Sequence, residues 1–263
     1  MGESRLSAAR IICDHRLSRR RLAQLDASVR PADEASGYAV QDELHGLLTA
    51  AGLGLMAGHK IGCTTKVMQE FLRISNPCAG GVFESQVHST PATIRHADYI
   101  RPGVECEIVV RLAADLPLEC APFDSNAVAV AVGEVMAGME IVDDRYVDYK
   151  SLDTPTLIAD DFFDGGCVLG KSTADWRSLD LASLNGVTWI NGVEVGRGRG
   201  ADVMGHPFEA LAWLANSLAR RGRKLRAGEF VFTGSVVETK WLNRGDRVLM
   251  ELEHLGTVEA VFE

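Results

Sequence analysis

The sequence lacks the features of a secreted, disulfide-rich or membrane-spanning protein. Its six cysteines form no Cys-x-x-Cys pair and no spacing typical of a zinc site. Scattered cysteines of this kind are typical of a reducing compartment, so we expect a cytoplasmic protein. The sequence has no apolar run long enough to span a membrane and no signal-like apolar stretch near its start. We therefore expect neither a membrane segment nor a secretory signal.

Positive charge is also scarce. The chain has 27 lysines and arginines against 36 aspartates and glutamates, a formal net charge of −9. This balance argues against a nucleic acid or an anionic membrane surface as partner. A short basic run, Arg16 with Arg19, Arg20 and Arg21, is interpreted as the solvated face of an N-terminal helix. A length of 263 residues suits one large domain, with or without a small appendage.

Two glutamates in the β-prone segment 103–110 carry the strongest chemical signal. Glu105 and Glu107 are separated by one residue, so on a strand they point to the same face, roughly 6–7 Å apart. Two carboxylates at this spacing can bind one hard divalent cation. Glu140 lies in a similar segment. The set predicts a Mg²⁺ or Mn²⁺ enzyme acting on an anionic substrate. The alternative is a solvated strand face that carries alternating polar residues.

The N-terminal half is predicted to begin with helices. Residues 6–25 are rich in good helix formers, and residues 38–51 place apolar side chains at helical spacing. Beyond residue 58, short β-prone runs are separated by Gly, Pro and Asn, which indicate turns. The Ala/Val-rich stretch 125–136 is predicted to be a helix capped by Ser125 that leads into a strand at 139–142.

The C-terminal half has clearer local signals. Asn191-Gly192 between two β-prone runs predicts a hairpin with a type I′ turn. Residues 207–220 are typical of an amphipathic helix that begins with proline. Strands are predicted at 230–232 and within 246–262. Helices followed by mostly antiparallel strands indicate an α+β protein.

Two motifs have a structural explanation beside a functional one. Residues 196–201 match a loose dinucleotide-binding pattern, but they follow a hairpin rather than a parallel strand. We interpret them as a flexible loop whose Arg197 and Arg199 could face an anionic ligand. His206 and Glu209 could bind a metal together, although helix capping is the stronger interpretation.

Two further segments are candidates for catalysis or binding. Lys60, flanked by glycines, could pair with a carboxylate or polarise a keto group, or it could be a solvated loop lysine. Thr233-Gly234-Ser235 could hold a carboxylate through hydroxyls and a backbone N–H, or it could be a plain turn. Cys106 must point away from the face of the two glutamates and is interpreted as a core residue.

These motifs occur together in a recognisable order. From about Tyr38 to the C-terminus, the chain resembles the 2-keto-4-pentenoate hydratase group of the fumarylacetoacetate hydrolase superfamily. That group also includes 2-oxohept-4-ene-1,7-dioate hydratases and 4-oxalocrotonate decarboxylases. The segments that carry the resemblance are 58–64 (GHKIGCT), 104–108 (VECEI), 140–145 (EIVDDR), 205–207 (GHP), 212–216 (AWLAN) and 232–235 (FTGS).

The resemblance implies a metal site and a fold. Glu105, Glu107 and Glu140 would hold one Mg²⁺ or Mn²⁺, and Lys60 would be the active-site lysine. The fold would be α+β, a mixed β-roll with a small N-terminal helical region. We place the helical region at residues 1–75 and the β-roll catalytic domain at residues 76–263. The protein would form a dimer-based homo-oligomer.

Two departures from the family pattern concern the pocket. Cys78 stands where these hydratases usually carry an aspartate in the active site, and a neutral thiol cannot replace a carboxylate as a proton carrier. Phe162 and Phe163 stand in a stretch that is usually smaller and more polar. If that stretch faces the pocket, its wall is bulkier and more apolar. We therefore treat Cys78 as a substrate-binding residue of a reshaped pocket.

The implied function is a hydratase of small anionic 2-oxo acids. Water would add to a 2-hydroxy-2,4-dienoate to give a 4-hydroxy-2-oxo acid, as in aromatic-compound catabolism. Lys60 would supply positive charge or move a proton, while Ser235 and the Gly234 amide would anchor the substrate carboxylate. The alternatives are a 2-oxo acid decarboxylase or a C–C-bond hydrolase of the same superfamily, or a non-catalytic metal-binding relative.

Overall fold

Two mixed β-sheets and a set of helices make up the computed structural model, which describes residues 2–72 and 74–263. The helices are α1 (Gly2–Ser18), α2 (Glu34–Leu48), α3 (Lys66–Leu72), α4 (Ser125–Ala131), α5 (Thr154–Ala159) and α6 (Pro207–Arg220). No helix among these described residues is long and apolar enough to cross a lipid bilayer.

The strands fall into a seven-stranded and a five-stranded sheet. In chain order they are β1 (Met56–Gly62), β2 (Cys78–Phe83), β3 (Val87–Ser89), β4 (Ala92–Ile94), β5 (Pro102–Leu112), β6 (Val132–Asp143), β7 (Asp164–Leu169), β8 (Asn185–Ile190), β9 (Val193–Arg199), β10 (Phe230–Trp241), β11 (Arg247–Leu252) and β12 (Gly256–Phe262). The larger sheet has the order β2-β1-β10-β5-β6-β7-β3, and the smaller one β4-β12-β11-β8-β9. These sheets with their helices confirm the predicted α+β class.

The long antiparallel pair β5 and β6 lies at the centre of the larger sheet. β10 pairs with the other edge of β5, and β11 and β12 of the smaller sheet pack against β6. Because β5 and β6 are covered on both faces, most of their residues are buried. A polar side chain on these strands is therefore held in a rigid and largely dry setting.

The N-terminal helices pack against each other and against α5. The first ends at Ser18, earlier than the predicted residue 25. The second begins at Glu34, where Asp33 and Ser36 form a capping box, and it covers most of the predicted stretch 38–51. The second helix contacts β2 at the edge of the large sheet, where Gln41 donates to the Ala79 carbonyl and Tyr38 accepts the Ala79 N–H.

One strand from the predicted helical region belongs to the larger sheet. β1 pairs in parallel with β10 and antiparallel with β2, so it places Lys60 inside the sheet. The division of the chain at residue 75 stays a prediction.

The Ala/Val-rich stretch is shorter as a helix than predicted. Its helix, α4, ends at Ala131, and β6 begins at Val132. The cap is Asp124, whose side chain accepts the Ala127 N–H at 2.8 Å, so the prediction of Ser125 as cap is wrong. The β-branched valines of the stretch favour the strand once it pairs with β5.

The hairpin and the C-terminal helix agree with their local signals. Asn191 and Gly192 both have positive φ, 53° and 81°, as a type I′ turn requires. The amphipathic helix α6 has the predicted bounds, with proline in its first turn. His206 caps it, because its Nδ1 accepts the Phe208 N–H at 3.0 Å. This contact confirms the capping interpretation of His206.

Candidate functional site

Three glutamates converge on one face of the central sheet. Glu105 on β5 and Glu140 on β6 are direct cross-strand partners, and Glu107 lies two residues further along β5. Each offers a carboxylate oxygen, and these oxygens all lie within 4.8 Å of one another. The strand alternation thus brings together the acids that the sequence pattern indicated. Cys106 points to the opposite face and is buried, as predicted.

Glu107 is held by a backbone amide. Its Oε2 accepts the Gly234 N–H at 2.8 Å, while its Oε1 is buried without a hydrogen-bond partner. Gly234 sits at an irregularity of β10 with φ +123°, where a Cβ atom would lie 2.5 Å from Thr64 Cγ2. Only glycine can therefore turn its amide toward the glutamate at this position.

Within the described part of the chain, Lys60 is the one cation that faces the buried carboxylates. Burial raises the pKa of Glu140 to about 7, although Lys60 opposes this effect. Burial and the neighbouring charges of Glu140 and Glu105 raise the pKa of Glu107 well above its ordinary value. An oxygen-only donor set with an unpartnered buried oxygen fits a hard divalent cation, which would supply the missing charge. The three glutamates therefore form a candidate metal centre.

Glu105 is the partly exposed member of the three. Thr239 Oγ1 donates a hydrogen bond to Glu105 Oε1. Of the three glutamates, Glu105 alone lines the adjoining cavity, while Glu107 and Glu140 are completely buried. Thr239 was not singled out in the sequence, because a threonine on a strand is common and carries no distinctive signal.

Lys60 is fixed beside the glutamates. Its Nζ lies 2.8 Å from Glu140 Oε1 and donates to the Phe162 carbonyl oxygen at 2.5 Å. Burial alone would lower the pKa of Lys60, but the charges of Glu140 and Glu105 outweigh it and raise that pKa. The lysine is therefore a buried cation, and its interpretation as a solvated loop residue is wrong.

The Phe162 carbonyl is presented by an unusual backbone segment. Asp161, Phe162 and Phe163 have φ values of 54°, 48° and 67°, a left-handed conformation that costs free energy for such residues. The Asp161 carboxylate holds the segment by accepting the Gly81 N–H at 2.9 Å, together with two side-chain contacts. The backbone strain of residues 161–163 therefore lies next to Lys60, and the buried hydrogen bonds of the Asp161 carboxylate offset it.

Those two contacts come from the N-terminal helices. His45 Nε2 on α2 lies 2.6 Å from Asp161 Oδ1, and Arg16 Nη1 on α1 donates to Asp161 Oδ2 at 2.9 Å. The Arg16 side chain is only 7% exposed, so its assignment to a solvated helix face is wrong, whereas Arg20 is exposed as expected. In the sequence, Asp160 and Asp161 stand directly before Phe162 and Phe163. Acids within such an apolar stretch are often buried, and a buried acid needs a cationic partner, so this pattern could have indicated a buried arginine nearby.

A cavity of about 570 Å³ opens beside Glu105 and Lys60. Its walls are formed by Lys60, Ile61, Gly62, Cys63, Thr64, Thr65, Met68, Glu105, Val142, Tyr149, Phe162, Phe163, Arg197, Asp202, Ser235, Val236, Glu238, Thr239 and Trp241. Both phenylalanines of the altered stretch thus face the pocket, and so does Ser235. Arg197 also faces it, whereas Arg199 does not. β9 is antiparallel to β8, so its glycines do not form a dinucleotide-binding loop.

Two predicted substrate-binding residues are placed differently. Cys78 is completely buried and is absent from the cavity wall, where Cys63 is found instead. A hydrogen bond with Cys63, together with burial, raises the pKa of Cys78 well above its ordinary value, so its thiol is neutral. The Gly234 N–H is engaged by Glu107. Their roles toward substrate stay predictions.

Comparisons with known proteins agree with this geometry. Residues 83–263 match the family model described as fumarylacetoacetate (FAA) hydrolase C-terminal. A 2-keto-4-pentenoate hydratase from Paraburkholderia phymatum is 32% identical over 93% of this chain and 92% of its own length. A 2-hydroxyhexa-2,4-dienoate hydratase from Comamonas testosteroni is 36% identical over 78% of this chain and 77% of its own.

A solved structure resembles the whole chain. The 4-oxalocrotonate decarboxylase from Pseudomonas putida G7, complexed with magnesium and adipate, superposes with a TM-score of 0.93 at 28% identity. The match covers 100% of this chain and 98% of the decarboxylase. The chain therefore belongs to the fumarylacetoacetate hydrolase family.

Proposed function

We propose that this member of the fumarylacetoacetate hydrolase family is a metal-dependent hydratase, a lyase that adds water to a 2-hydroxy-2,4-dienoate. The product would be a 4-hydroxy-2-oxo acid, as in aromatic-compound catabolism. The observation that carries the proposal is the meeting of three strand-borne glutamates with a buried lysine beside a cavity. The two hydratase relatives support the choice of reaction.

Glu105, Glu107 and Glu140 would hold one Mg²⁺ or Mn²⁺. When bound, such a cation would supply Lewis acidity that stabilises negative charge on a 2-oxo acid. The Gly234 amide would keep Glu107 in place, and Thr239 would do the same for Glu105. We thus assign Gly234 a role in positioning a ligand, in addition to its predicted role toward substrate.

Lys60 would stabilise negative charge on the substrate and hold a proton at Nζ. An ammonium has three N–H donors. Glu140 and the Phe162 carbonyl take two of them, which leaves one for a substrate oxygen at the cavity wall. Because its two partners fix the side chain, little entropy is lost when this donor is used.

The rest of the reaction is a proton transfer followed by addition. Ketonisation of the dienol moves the enol proton to the terminal carbon and leaves an α,β-unsaturated ketone. Water then adds to the β-carbon, and a proton reaches the α-carbon. Ser235, whose hydroxyl donates to the Val237 carbonyl, would turn that hydroxyl toward the substrate carboxylate.

Decarboxylation is the second candidate reaction. The observation that favours it is the full-length structural match to the 4-oxalocrotonate decarboxylase. The same glutamate and lysine geometry would also serve a C–C-bond hydrolase or a non-catalytic metal-binding relative. We further propose a dimer-based homo-oligomer in the cytoplasm, in line with the family resemblance and with six free cysteines.

An assay with 2-hydroxypenta-2,4-dienoate tests the proposal. We expect loss of the diene absorbance with Mg²⁺ or Mn²⁺, no loss after chelation, and 4-hydroxy-2-oxopentanoate as product. Release of CO₂ from 4-oxalocrotonate, with no hydration of the dienoate, would favour the decarboxylase. No turnover of either compound with any divalent metal would favour the non-catalytic relative.

The lysine can be tested separately. Lys60→Ala should keep Mn²⁺ binding but lose roughly 10²–10⁴-fold in turnover, the usual contribution of a general acid–base group. Lys171→Ala, which alters an exposed lysine, is the matched control and should turn over normally. Wild-type turnover by Lys60→Ala would remove the lysine from the mechanism.

A further inference from the structure

The cavity is larger than the simplest substrate of the proposed reaction requires. 2-Hydroxypenta-2,4-dienoate has eight heavy atoms. At about 30 Å³ each, the volume of a molecule in liquid water, they occupy at most about 240 Å³. The cavity measures about 570 Å³. More than half of the cavity would stay empty of substrate, whereas a preformed binding pocket usually encloses most of the surface of its ligand.

An aromatic wall leads from the lysine into this extra space. Lys60 Nζ lies 5.4 Å from the centroid of the Phe162 ring. The Phe162 and Phe163 rings meet edge-to-face with centroids 5.4 Å apart, and Phe163 and Tyr149 do so at 5.5 Å. Each ring thus packs against the next in the geometry that aromatic pairs prefer. Trp241 adds a fourth aromatic side chain to the lining.

Among the wall residues that the structure describes, each cation is already paired with a carboxylate. Arg197 is bound through its Nε and Nη2 to the two carboxylate oxygens of Glu194, at 3.0 and 2.9 Å. Lys60 is engaged by Glu140. The remaining charged wall residues, Asp202 and Glu238 together with Glu105, are acidic. A second carboxylate at the far end of a substrate would meet acidic side chains, and it would have to displace Glu194 to pair with Arg197.

We infer that the substrate is a monocarboxylic 2-hydroxydienoate whose carbon farthest from the carboxylate carries an apolar group of about the size of a phenyl ring. The inference rests on the proposed function, in which the glutamate and Lys60 end of the cavity would take the carboxylate and 2-oxo group of the substrate. The distal group would pack against Phe162, Phe163 and Tyr149. This differs from the dicarboxylate adipate that is bound in the solved decarboxylase.

Steady-state kinetics on three substrates tests the inference. We compare 2-hydroxy-5-phenylpenta-2,4-dienoate, 2-hydroxypenta-2,4-dienoate and 2-hydroxyhexa-2,4-dienedioate, each with saturating Mg²⁺. The phenyl compound should have a kcat/KM at least about 100-fold above the unsubstituted one, because even one methylene in an apolar pocket gives about 10–200-fold. The dicarboxylate should be the poorest. Equal values for the first two, or preference for the dicarboxylate, would overturn the inference.

A variant tests whether the aromatic wall causes the preference for the phenyl compound. Phe163→Ala should lower the ratio of kcat/KM for the phenyl compound to that for the unsubstituted one by at least about 10-fold. Phe163→Leu, which keeps most of the volume, should restore part of this ratio and covers the case in which the alanine variant folds poorly. Phe208→Leu, on α6 outside the cavity, is the matched control and should leave the ratio unchanged. An unchanged ratio in folded Phe163→Ala would contradict the assignment.

A binding measurement separates this inference from the proposed reaction. Calorimetry with the unreactive acids 2-oxo-5-phenylpentanoate and 2-oxopentanoate, on Mn²⁺-loaded protein, needs no turnover. Tighter binding of the phenyl acid supports the inference even if hydration is never observed. If the dienoates are hydrated but the two acids bind equally well, the proposed function stands and the inference fails.

Discussion

Two groups of three acidic side chains lie inside this protein, and they differ in the cations that face them. The first is the glutamate cluster, Glu105, Glu107 and Glu140, beside which Lys60 is the one cation among the residues that the structure describes. The second is the aspartate cluster, Asp160, Asp161 and Asp164, which is contacted by two arginines and a histidine. Each cluster has three carboxyl groups, so the two clusters differ in the number of cationic side chains that contact them.

Buried arginines compensate the aspartate cluster. Arg16 donates to Asp161 and Asp164 at 2.9 and 3.0 Å, and Arg145 donates to Asp160 at 3.1 Å. Burial alone would raise the pKa of Asp161, but His45 and Arg16 outweigh it and hold that pKa well below its ordinary range. Burial still raises the pKa of Asp164 against the pull of Arg16. Each aspartate of this cluster therefore contacts at least one cationic side chain of the protein itself.

The glutamate cluster shows the opposite balance. Burial raises the pKa values of Glu107 and Glu140, and one buried lysine does not reverse the effect. Protein side chains thus compensate the aspartates, while the glutamates form the candidate site for a cation from solution. The shortage of internal counter-charge is therefore what distinguishes the candidate site from the aspartate cluster, since strongly perturbed acids in a cleft mark functional-site candidates.

The largest expected effect comes from removing the shared arginine. Arg16→Met leaves three buried aspartates with one arginine, which should lower the free energy of unfolding by about 3–5 kcal/mol. Urea denaturation measures the change. Arg20→Met is the matched control, because Arg20 and its partner Asp14 are both exposed, and it should cost less than about 1 kcal/mol. Equal costs for the two variants would show that the aspartate cluster does not depend on Arg16.

The next effect concerns metal affinity. Glu107→Gln removes one charge and one ligand position, so Mn²⁺ should bind at least about 100-fold more weakly, since loss of an outer-shell partner alone costs 10–100-fold. Calorimetry on metal-free protein measures it. Glu238→Gln changes an exposed carboxylate of the same cavity and should bind Mn²⁺ like the wild type. Wild-type affinity in Glu107→Gln would disprove the metal assignment.

The smallest effect depends on pH. The folded-state pKa of Asp161 is lowered, so its stabilising contribution is present above the unfolded pKa of about 3.9 and is lost as pH falls below it. Asp161→Asn should therefore cost about 1–3 kcal/mol at pH 7, and the difference from wild type should shrink below about pH 4. Asparagine tolerates the left-handed backbone at this position. Urea denaturation between pH 3 and pH 7 measures both values.

The same substitution in the other cluster provides the contrast. Because the pKa of Glu107 is raised in the folded protein, its charge is unfavourable without metal. Glu107→Gln in metal-free protein should therefore cost less than Asp161→Asn at pH 7. If the glutamate substitution were the more costly of the two, the distinction between the clusters would be wrong.

Local patterns in the sequence account for several elements and for the meeting of the glutamates at the candidate metal centre. The alternation of Glu105, Cys106 and Glu107 on a strand placed the two acids on one face, because side-chain direction along a strand has a period of two. Asn191-Gly192 determined a type I′ turn through its two positive φ values. The apolar spacing of residues 207–220 likewise predicted α6. In each case the deciding interactions span only a few residues.

The tertiary structure decided everything that depends on distant partners. Arg16 and Asp161 are 145 residues apart, and no local pattern shows that α1 delivers a buried guanidinium to that aspartate. The Gly234 amide binds Glu107 only because β10 is irregular beside β5. Likewise, Cys63 lines the cavity and Cys78 does not, because the packing of β1 and β2 sets which of the two thiols faces it. Sequence periodicity sets which way a side chain points, whereas its buried partner is chosen by how the sheets and helices pack.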